Sequence, residues 1–330
     1  MSYLLDVSVR HAVFIQRYAA GRAREAKESV FALRDDLVGI IAKNGAAIEG
    51  GNTEAIDNRV IEFNEEFADK INADASELSA SENKFNTNML IAATIGARVL
   101  KPTNKKVLEN AYSKGMSVSG INKITIPNAV DEFLTKNKQA IDLVVSDSVV
   151  ASQSVSDNVS DLLTHRQAAK AQSLTKTIAN SISGSSRETS FLENKDFIEG
   201  VEWISVLDSH TTLICSGRDG KVYPVGSSPV PPAHWGCRST IIPSLISGVE
   251  SDRRSKEARP DQSYGVWLRK QPKSFQDEYF SKFPDGDKKA RLFRLGKLPI
   301  DKFRDDLGAE YTLKELQALN PMAFERANLE

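Results

Sequence analysis

Hydrophobic side chains recur every third or fourth residue over most of the first two hundred positions, which is the spacing of one face of an α-helix. One stripe ends near Asn44 and Gly45, and a second begins after Thr53, a residue type that caps helix N-termini. The stripes are Ile15, Ala19, Ala23, Ala26, Val30, Leu33, Leu37 and Ile40, then Ile56, Val60, Phe63, Phe67, Ile71 and Leu78. We therefore predict two long helices packed as an antiparallel hairpin.

The helical pattern continues beyond this hairpin. A third helix is predicted to stop before Pro102, because the residue before a proline disfavours helix. Its apolar face carries Phe85, Met89, Ala92 and Ile95. A shorter helix is expected over residues 107–112. Residues 120–127 then read as a linker with a small extended piece, which makes them a candidate hinge.

Residues 131–182 contain neither Gly nor Pro and predict one or two long helices. Serines are frequent over residues 146–160 and lower helix propensity, which favours a break there. Gly184, Ser185 and Ser186 are typical of a loop that closes this region.

The pattern changes near Gly200, where short extended runs replace helical stripes. The first run holds Trp203, Ile204, Val206 and Leu207; the second is Lys221, Val222 and Tyr223 after the turn pair Asp219-Gly220; the third is Thr240, Ile241 and Ile242 before Pro243. From residue 263 helical spacing returns. The last predicted helix begins at Thr312, with Glu315 three residues later as in a capping box.

These elements predict a mainly α protein with a small β-containing module, an α+β fold. A chain of 330 residues exceeds what one typical core supports, so several folding units are expected. The predicted regions are a helical hairpin or bundle over 1–120, a long-helix region over 121–199, a Cys/His β module over 200–250 and a helical tail over 251–330.

Charge and composition exclude little. The chain has 43 Lys and Arg against 44 Asp and Glu, so no overall positive field attracts nucleic acid. The first ten residues do not resemble a secretory signal, and no stretch of about 18 apolar residues predicts a membrane span. We therefore expect synthesis in a cytosol and no membrane partner.

In a reducing compartment the two cysteines, Cys215 and Cys237, suit metal ligation or free thiols better than a disulfide framework.

The most distinctive segment runs from residue 203 to residue 238. Its motif residues, in order, are Trp203, Asp208, Cys215, Asp219, Gly220, Pro231, Pro232, His234, Cys237 and Arg238. This order and spacing resemble the Mu F-like family of phage minor head proteins, known also from phage SPP1. The resemblance extends through the tail and covers about the last 130 residues. It departs at Ser239, where relatives commonly have a second cysteine, and at residues 280–287, where they have a Gly-rich stretch.

The resemblance implies a structural protein of the virion, not an enzyme. Such a protein is assembled in the host cytoplasm and lies inside the capsid near the portal vertex. It takes part in head assembly, in DNA ejection, or in both. The implied partners are the portal protein, the major capsid protein or both, with non-specific contact to packaged DNA. The long helices would also allow self-association.

Cys215, His234 and Cys237 form a candidate metal site. They are separated by 18 and then 2 residues, so a tight turn supplies two donors and a neighbouring segment the third. Thiolate and imidazole are donors that zinc prefers, and a closed site needs a fourth, for which His210 is the candidate and Asp208 the alternative. Two other interpretations stay open. The cysteines could be buried small hydrophobic residues, or a disulfide closing a 21-residue interval.

The other motif residues have structural interpretations. Asp208 is expected to brace the turn that follows it, and Arg238 to form an ion pair or to bond loop carbonyls. Trp203 and Trp235 are predicted to be core residues around the motif.

Two basic clusters in the tail are expected to be solvated faces. The first is Arg253, Arg254, Lys256 and Arg259, and the second is Lys288, Lys289, Arg291, Arg294 and Lys297. For a protein enclosed with DNA, contact of the second cluster with phosphates is a further hypothesis.

An enzyme is the alternative. Asp208, His210 and His234 could serve a metal-dependent hydrolase or nuclease. The chain has no His-Glu-x-x-His, Gly-x-Ser-x-Gly or phosphate-binding Gly loop, which disfavours the common hydrolase classes.

Overall fold

Six helices form the first half of the protein, in a computed structural model that describes residues 3–119, 122–251, 262–306 and 308–329. Their bounds are α1 Tyr3–Glu49, α2 Glu54–Ala93, α3 Asn104–Ser113, α4 Ile126–Val150, α5 Val155–Asp161 and α6 Ala168–Glu193, with a π-helical turn at Leu162–Gln167. Two antiparallel strands, β1 Met116–Ser119 and β2 Asn122–Ile124, lie between α3 and α4, where a linker with an extended piece was expected. The predicted mainly α, α+β fold is confirmed.

The predicted antiparallel hairpin is present in α1 and α2. Arg22 of α1 pairs with Asp74 of α2 at 3.5 Å, whereas Asp36, further along α1, pairs with Arg59, earlier on α2, at 2.8 Å. Partners that run in opposite directions along the two helices require an antiparallel arrangement. Both predicted stripes are buried almost completely, except that Ile40 is only half-buried and Ile41 takes its place.

The separate third helix was predicted wrongly, because α2 continues without interruption to Ala93. Several polar side chains between residues 79 and 87 of α2 are buried. The spacing of apolar residues does not show this, because buried polar residues interrupt the apolar stripe. Ile95 lies beyond the helix and is exposed. The break expected in the serine-rich segment is present: α4 ends at Val150, and Ser154 caps α5 by accepting a hydrogen bond from the Asp157 amide.

One apolar cluster takes side chains from both α1–α2 and α4–α6, so the predicted boundary at residue 120 does not separate two hydrophobic cores. The contact between α1, α2 and α6 becomes polar towards the end of α6. There Ser183 donates to Glu82 at 2.6 Å, and His11 also pairs with Glu82. Burial alone raises the pKa of the Glu82 carboxyl, but His11 and Arg187 outweigh this and hold it below its usual value.

The loop predicted at Gly184, Ser185 and Ser186 is wrong. These residues lie inside α6, and every residue from 177 to 191 is buried. Gly and Ser are poor helix formers on a surface, but here tertiary packing decides, because their small side chains let other elements approach the helix closely. A Cβ at position 184 would lie 2.5 Å from the carbonyl oxygen of Pro231.

A three-stranded antiparallel sheet follows, with the order β4-β3-β5. Its strands are β3 Ile198–Ile204, β4 Val222–Pro224 and β5 Thr240–Leu245. The predicted strands are present but shifted: β3 begins before residue 200 and excludes Val206 and Leu207. β5 continues through Pro243, which an edge strand tolerates. Trp203 pairs with Ile241 in register and is fully buried, as predicted.

The tail is helical, as predicted. After α7 Leu213–Arg218 within the module, it comprises α8 Tyr264–Arg269, α9 Lys273–Phe280, α10 Gly286–Arg294, a 3-10 turn Ile300–Phe303, α11 Leu313–Leu319 and α12 Pro321–Ala327. Aromatic rings fill its core, among them Tyr279, Phe280 and Phe293. The capping box at Thr312 and Glu315 is formed. No helix in the described ranges is long and apolar enough to cross a membrane.

The packing of α6 gives a first test. Gly184→Ala should lower the free energy of unfolding by about 1–3 kcal/mol, because the added methyl meets a backbone carbonyl that cannot move aside cheaply. Gly39→Ala is the matched control: it lies in α1 with no atom within 4 Å of the added methyl, so helix propensity should make it neutral or stabilising by up to about 1 kcal/mol. Urea unfolding measures both. Equal effects at the two positions would contradict the close approach of α6 to the loop at Pro231.

Candidate metal centre

Two turns bring the three candidate ligands together. Cys215 lies in the short helix α7, and His234 and Cys237 lie in the loop that leads into β5. Helix α6 holds that loop: the Asn180 side chain donates to the Cys237 carbonyl at 2.9 Å, and the Gly236 amide donates to the Thr177 hydroxyl at 3.0 Å. The loop is therefore positioned by residues about sixty positions earlier in the chain.

The donor atoms of Cys215, His234 and Cys237 all lie within 4.8 Å of one another. The two Sγ atoms are 3.7 Å apart, and Cys215 Sγ lies 3.2 Å from His234 Nε2. Two thiolates on one tetrahedral zinc ion are about 3.8 Å apart, whereas bonded sulfurs are about 2.05 Å apart. The cysteines are free thiols in this structure, and their spacing fits a shared metal ion.

His234 is oriented for ligation. Its Nδ1 lies 2.9 Å from the Trp235 carbonyl oxygen, which can only accept a hydrogen bond, so Nδ1 carries the proton. Nε2 then faces Cys215, and in the neutral imidazole its lone pair is available to a metal ion. An imidazole that donates its other N–H to a carbonyl is a common arrangement around protein-bound metals.

The thiols are electrostatically coupled. Burial raises the pKa of the Cys215 thiol well above its usual value, and Cys237 adds to this, while the hydroxyls of Ser239 and Thr212 act in the opposite direction. For Cys237 burial also opposes ionisation, but a hydrogen bond from Cys215 and the protonated, charged form of His234 outweigh it and hold the pKa of this thiol well below the usual range. Cys237 is therefore the thiol that ionises more readily, and a divalent cation would favour the thiolate form of both.

The motif residues around the ligands form a hydrogen-bonded frame. Ser205 receives the Trp203 indole N–H at 2.9 Å and donates to the Cys215 carbonyl at 2.8 Å. Asp219 accepts from the amides of Ser205 and Tyr264, at 2.5 and 2.6 Å. Its neighbour Gly220 adopts φ +77°, a conformation that favours glycine. Asp219 and Gly220 therefore hold the turn between α7 and β4. Pro232 is buried in the ligand loop.

Asp208 and Arg238 form the ion pair expected of Arg238. Its guanidinium donates two hydrogen bonds to the Asp208 carboxylate, at 2.6 and 2.8 Å. Asp208 also accepts from the His210 amide at 2.9 Å, so it braces the following turn as predicted. Burial raises the pKa of the Asp208 carboxyl, but Arg238 and these donors outweigh it and hold the pKa below its usual value.

The fourth ligand was predicted wrongly. Within the described ranges neither His210 nor Asp208 belongs to the cluster of donor atoms. Both carboxylate oxygens of Asp208 are engaged by Arg238, and His210 is an exposed residue on the turn. The same two facts weaken the enzyme alternative, which relied on Asp208 and His210 acting beside His234.

Trp235 is not a core residue as predicted, since 43% of it is exposed. The turn that directs His234 and Cys237 inward places the intervening side chain outward. Trp235 lines a surface groove of about 380 Å³ together with Phe133 and Leu174.

The second basic cluster is only partly a solvated face. Lys289 is 1% exposed and pairs with Glu310, so the prediction of an exposed contact is wrong for this residue. Arg294 is half-buried and pairs with Asp277 at 2.6 Å. Lys288 and Lys297 are exposed and Arg291 is half-buried. The amphipathic spacing of α10 turns Lys289 inward. The first cluster, Arg253, Arg254, Lys256 and Arg259, lies outside the described residues.

Sequence reasoning did not find Asn180, Thr177 and Ser205, which hold the ligand segments. Ser205 stands two residues after a predicted strand tryptophan, which gives no distinct signal. Asn180 and Thr177 lie on a helix whose polar residues look like a solvent face in the sequence. Only the packing of α6 against the loop reveals their role.

Neither family models, nor curated proteins, nor solved structures gave a match to this chain.

The Asp208–Arg238 pair gives a test by pH. A carboxyl whose pKa is lower in the folded than in the unfolded chain adds stability above about pH 4, and this contribution is lost as the pH falls through the folded-state pKa. Asp208→Asn should therefore lower the free energy of unfolding by about 1 kcal/mol at pH 7, because both side chains are about one-third exposed. The deficit should shrink at pH 3.

Urea unfolding at pH 7, 5 and 3 measures this difference. Asp69→Asn, which changes an exposed carboxylate of α2, should leave stability within about 0.5 kcal/mol at each pH. A deficit for Asp208→Asn that does not vary with pH would speak against a charge interaction.

Proposed function

We propose that this chain is a minor head protein of a tailed phage, of the Mu F type, and that a zinc ion closes its Cys/His module. The observation that carries the proposal is the convergence of the motif. Trp203, Cys215 and Cys237, which belong to the segment that resembles the family, lie in one buried cluster, and the His234 donor atom lies within 4.8 Å of both cysteine sulfurs. A chance match to a string of residues would not require its members to contact one another.

The tail, over which the resemblance extends, packs against the same part of the protein. The Tyr264 hydroxyl donates to the Asp208 carbonyl at 2.7 Å, and the hydroxyls of Tyr279 and Ser216 are 3.1 Å apart. Arg304 Nε donates to the Leu213 carbonyl at 3.2 Å. The motif and the closing segments therefore form one structural unit, which supports their assignment to a single family.

A structural role suits the site better than catalysis. The two cysteines are each 2% exposed, and the Asp208 carboxylate is paired with Arg238. A closed metal site with buried thiolates stabilises a small module, whereas a hydrolytic site needs an open position and a free base. On this proposal the chain acts inside the head near the portal vertex, in assembly or in DNA ejection.

The proposed partners are the portal protein and the major capsid protein, with the helical half as the contact surface. Contact with packaged DNA is proposed only for Lys288, Arg291 and Lys297, because Lys289 and Arg294 are engaged in ion pairs. Such contact would be non-specific and weakened by salt.

The zinc centre predicts one zinc ion per purified full-length chain. Cys215→Ser, Cys237→Ser and His234→Ala should each lose the ion, because each removes one of three donors. His210→Ala, the control, should retain it. Saturating the site at about a hundred times its Kd should add about 2.7 kcal/mol of stability, so a chelator should lower Tm. Native mass spectrometry with metal analysis distinguishes the outcomes. A metal-free chain lighter by two hydrogens would identify a disulfide, and an unchanged mass without metal would identify bare thiols.

The head function predicts incorporation into virions. Purified heads of the phage that encodes the chain should contain it in few copies, with cross-links to the portal protein. His234→Ala should be depleted from heads, because a loosened module misplaces the tail, whereas His210→Ala should be incorporated normally. Quantitative mass spectrometry of purified heads measures this. Absence of the unaltered chain from heads would contradict the proposed function, and equal incorporation of both variants would contradict the structural role of the metal.

A further inference from the structure

The two ligand-bearing turns share one spacing. His234 and Cys237 are separated by two residues in the loop before β5. In the turn that begins α7, Thr212 and Cys215 are also separated by two residues. Ligand pairs separated by two residues commonly present two donors to one zinc ion from a short segment. Thr212 therefore lies where a fourth ligand is expected in the sequence.

The conformation of Thr212 agrees with this position. It is the N-cap residue of α7, with φ −71° and ψ 162°, yet its side chain makes no capping hydrogen bond. The hydroxyls of Thr103 and Thr125, in nearly the same backbone conformation, do cap their helices. Instead, Thr212 Oγ1 is buried and makes no hydrogen bond of ordinary geometry in the part of the chain that the structure describes. The hydroxyl is close enough to the Cys215 thiol to favour its ionised form.

Ser239 is the competing hydroxyl. It also lies beside Cys215, two residues after Cys237, and it is 3% exposed. Its oxygen, however, is 3.2 Å from the Ser205 hydroxyl, so it belongs to the frame that supports Cys215. Of the two hydroxyls that favour the Cys215 thiolate, Thr212 is the one whose oxygen makes no hydrogen bond of ordinary geometry within the described residues.

We propose that Thr212 occupies the fourth corner of the centre and presents its hydroxyl oxygen to the ion. This inference rests on the zinc centre proposed above. The donor set is then two thiolates, one imidazole and one oxygen. A neutral hydroxyl is a weaker zinc donor than a thiolate, so the centre has three strong ligands and one weak ligand. A cysteine at position 212 would complete a site with three thiolates and one imidazole.

The experiment substitutes cobalt(II) for zinc in the full-length chain and compares Thr212→Cys, Thr212→Val and Ser239→Cys. Thr212→Cys should raise the thiolate-to-cobalt charge-transfer absorbance by about half, because three thiolates replace two. It should also bind zinc more tightly, whereas Thr212→Val, which keeps the shape without the oxygen, should weaken zinc binding on the order of tenfold. Ser239→Cys is the matched control and should leave the charge-transfer absorbance unchanged. Zinc affinity is measured by competition with a chromophoric chelator.

Each remaining outcome is informative. A gain of thiolate absorbance in Ser239→Cys but not in Thr212→Cys would assign the corner to position 239 and overturn the proposal. No gain in either folded variant, as judged by circular dichroism, would overturn it too. If Thr212→Val bound zinc as tightly as the unaltered chain, the oxygen would have no role. If the unaltered chain bound neither ion, the zinc centre itself would be refuted, and with it the assignment of Thr212.

Discussion

The structure depends on helix α6, whose second half has no free face. Every residue of α6 from 177 to 191 is buried, although many of them are polar. The first part of the helix packs its apolar residues against α1 and α2, and the later part bonds to the module through Asn180 and through Arg187, which donates to the Ile241 carbonyl at 3.0 Å. A buried polar group without a partner is costly, so these bonds fix where the loop and β5 can lie.

Much of the fold could be predicted because its signals are local. Apolar stripes with a period of three to four residues located α1 and α2. The pair Thr312 and Glu315 located the start of α11 to the residue. Gly184 shows the limit of such reasoning. A glycine is typical of a surface loop, but it also allows another element to approach a packed helix closely, and the sequence alone does not say which of the two applies.

Part of the candidate site could also be predicted from local signals. Residue types and spacing were sufficient to select Cys215, His234 and Cys237, because few side chains bind zinc and fewer still occur at this spacing. Whether a given side chain points into the protein or towards solvent was not predictable. Trp235 points outward, and Lys289 points inward towards Glu310. In each case the orientation of one turn or one helix, set by distant contacts, decides whether a side chain is buried.

The position of the three ligands also explains why a metal would matter here. Cys215 belongs to α7, which is fastened to the tail through the contacts of Ser216 with Tyr279 and of Leu213 with Arg304. His234 and Cys237 belong to the loop that α6 holds against the helical half. An ion bound by all three would join the segment that contacts the tail to the segment that contacts the helical half. Metal binding would then stabilise the relative placement of two parts of the protein as well as one small module, because the ligand set exists only when both are in place.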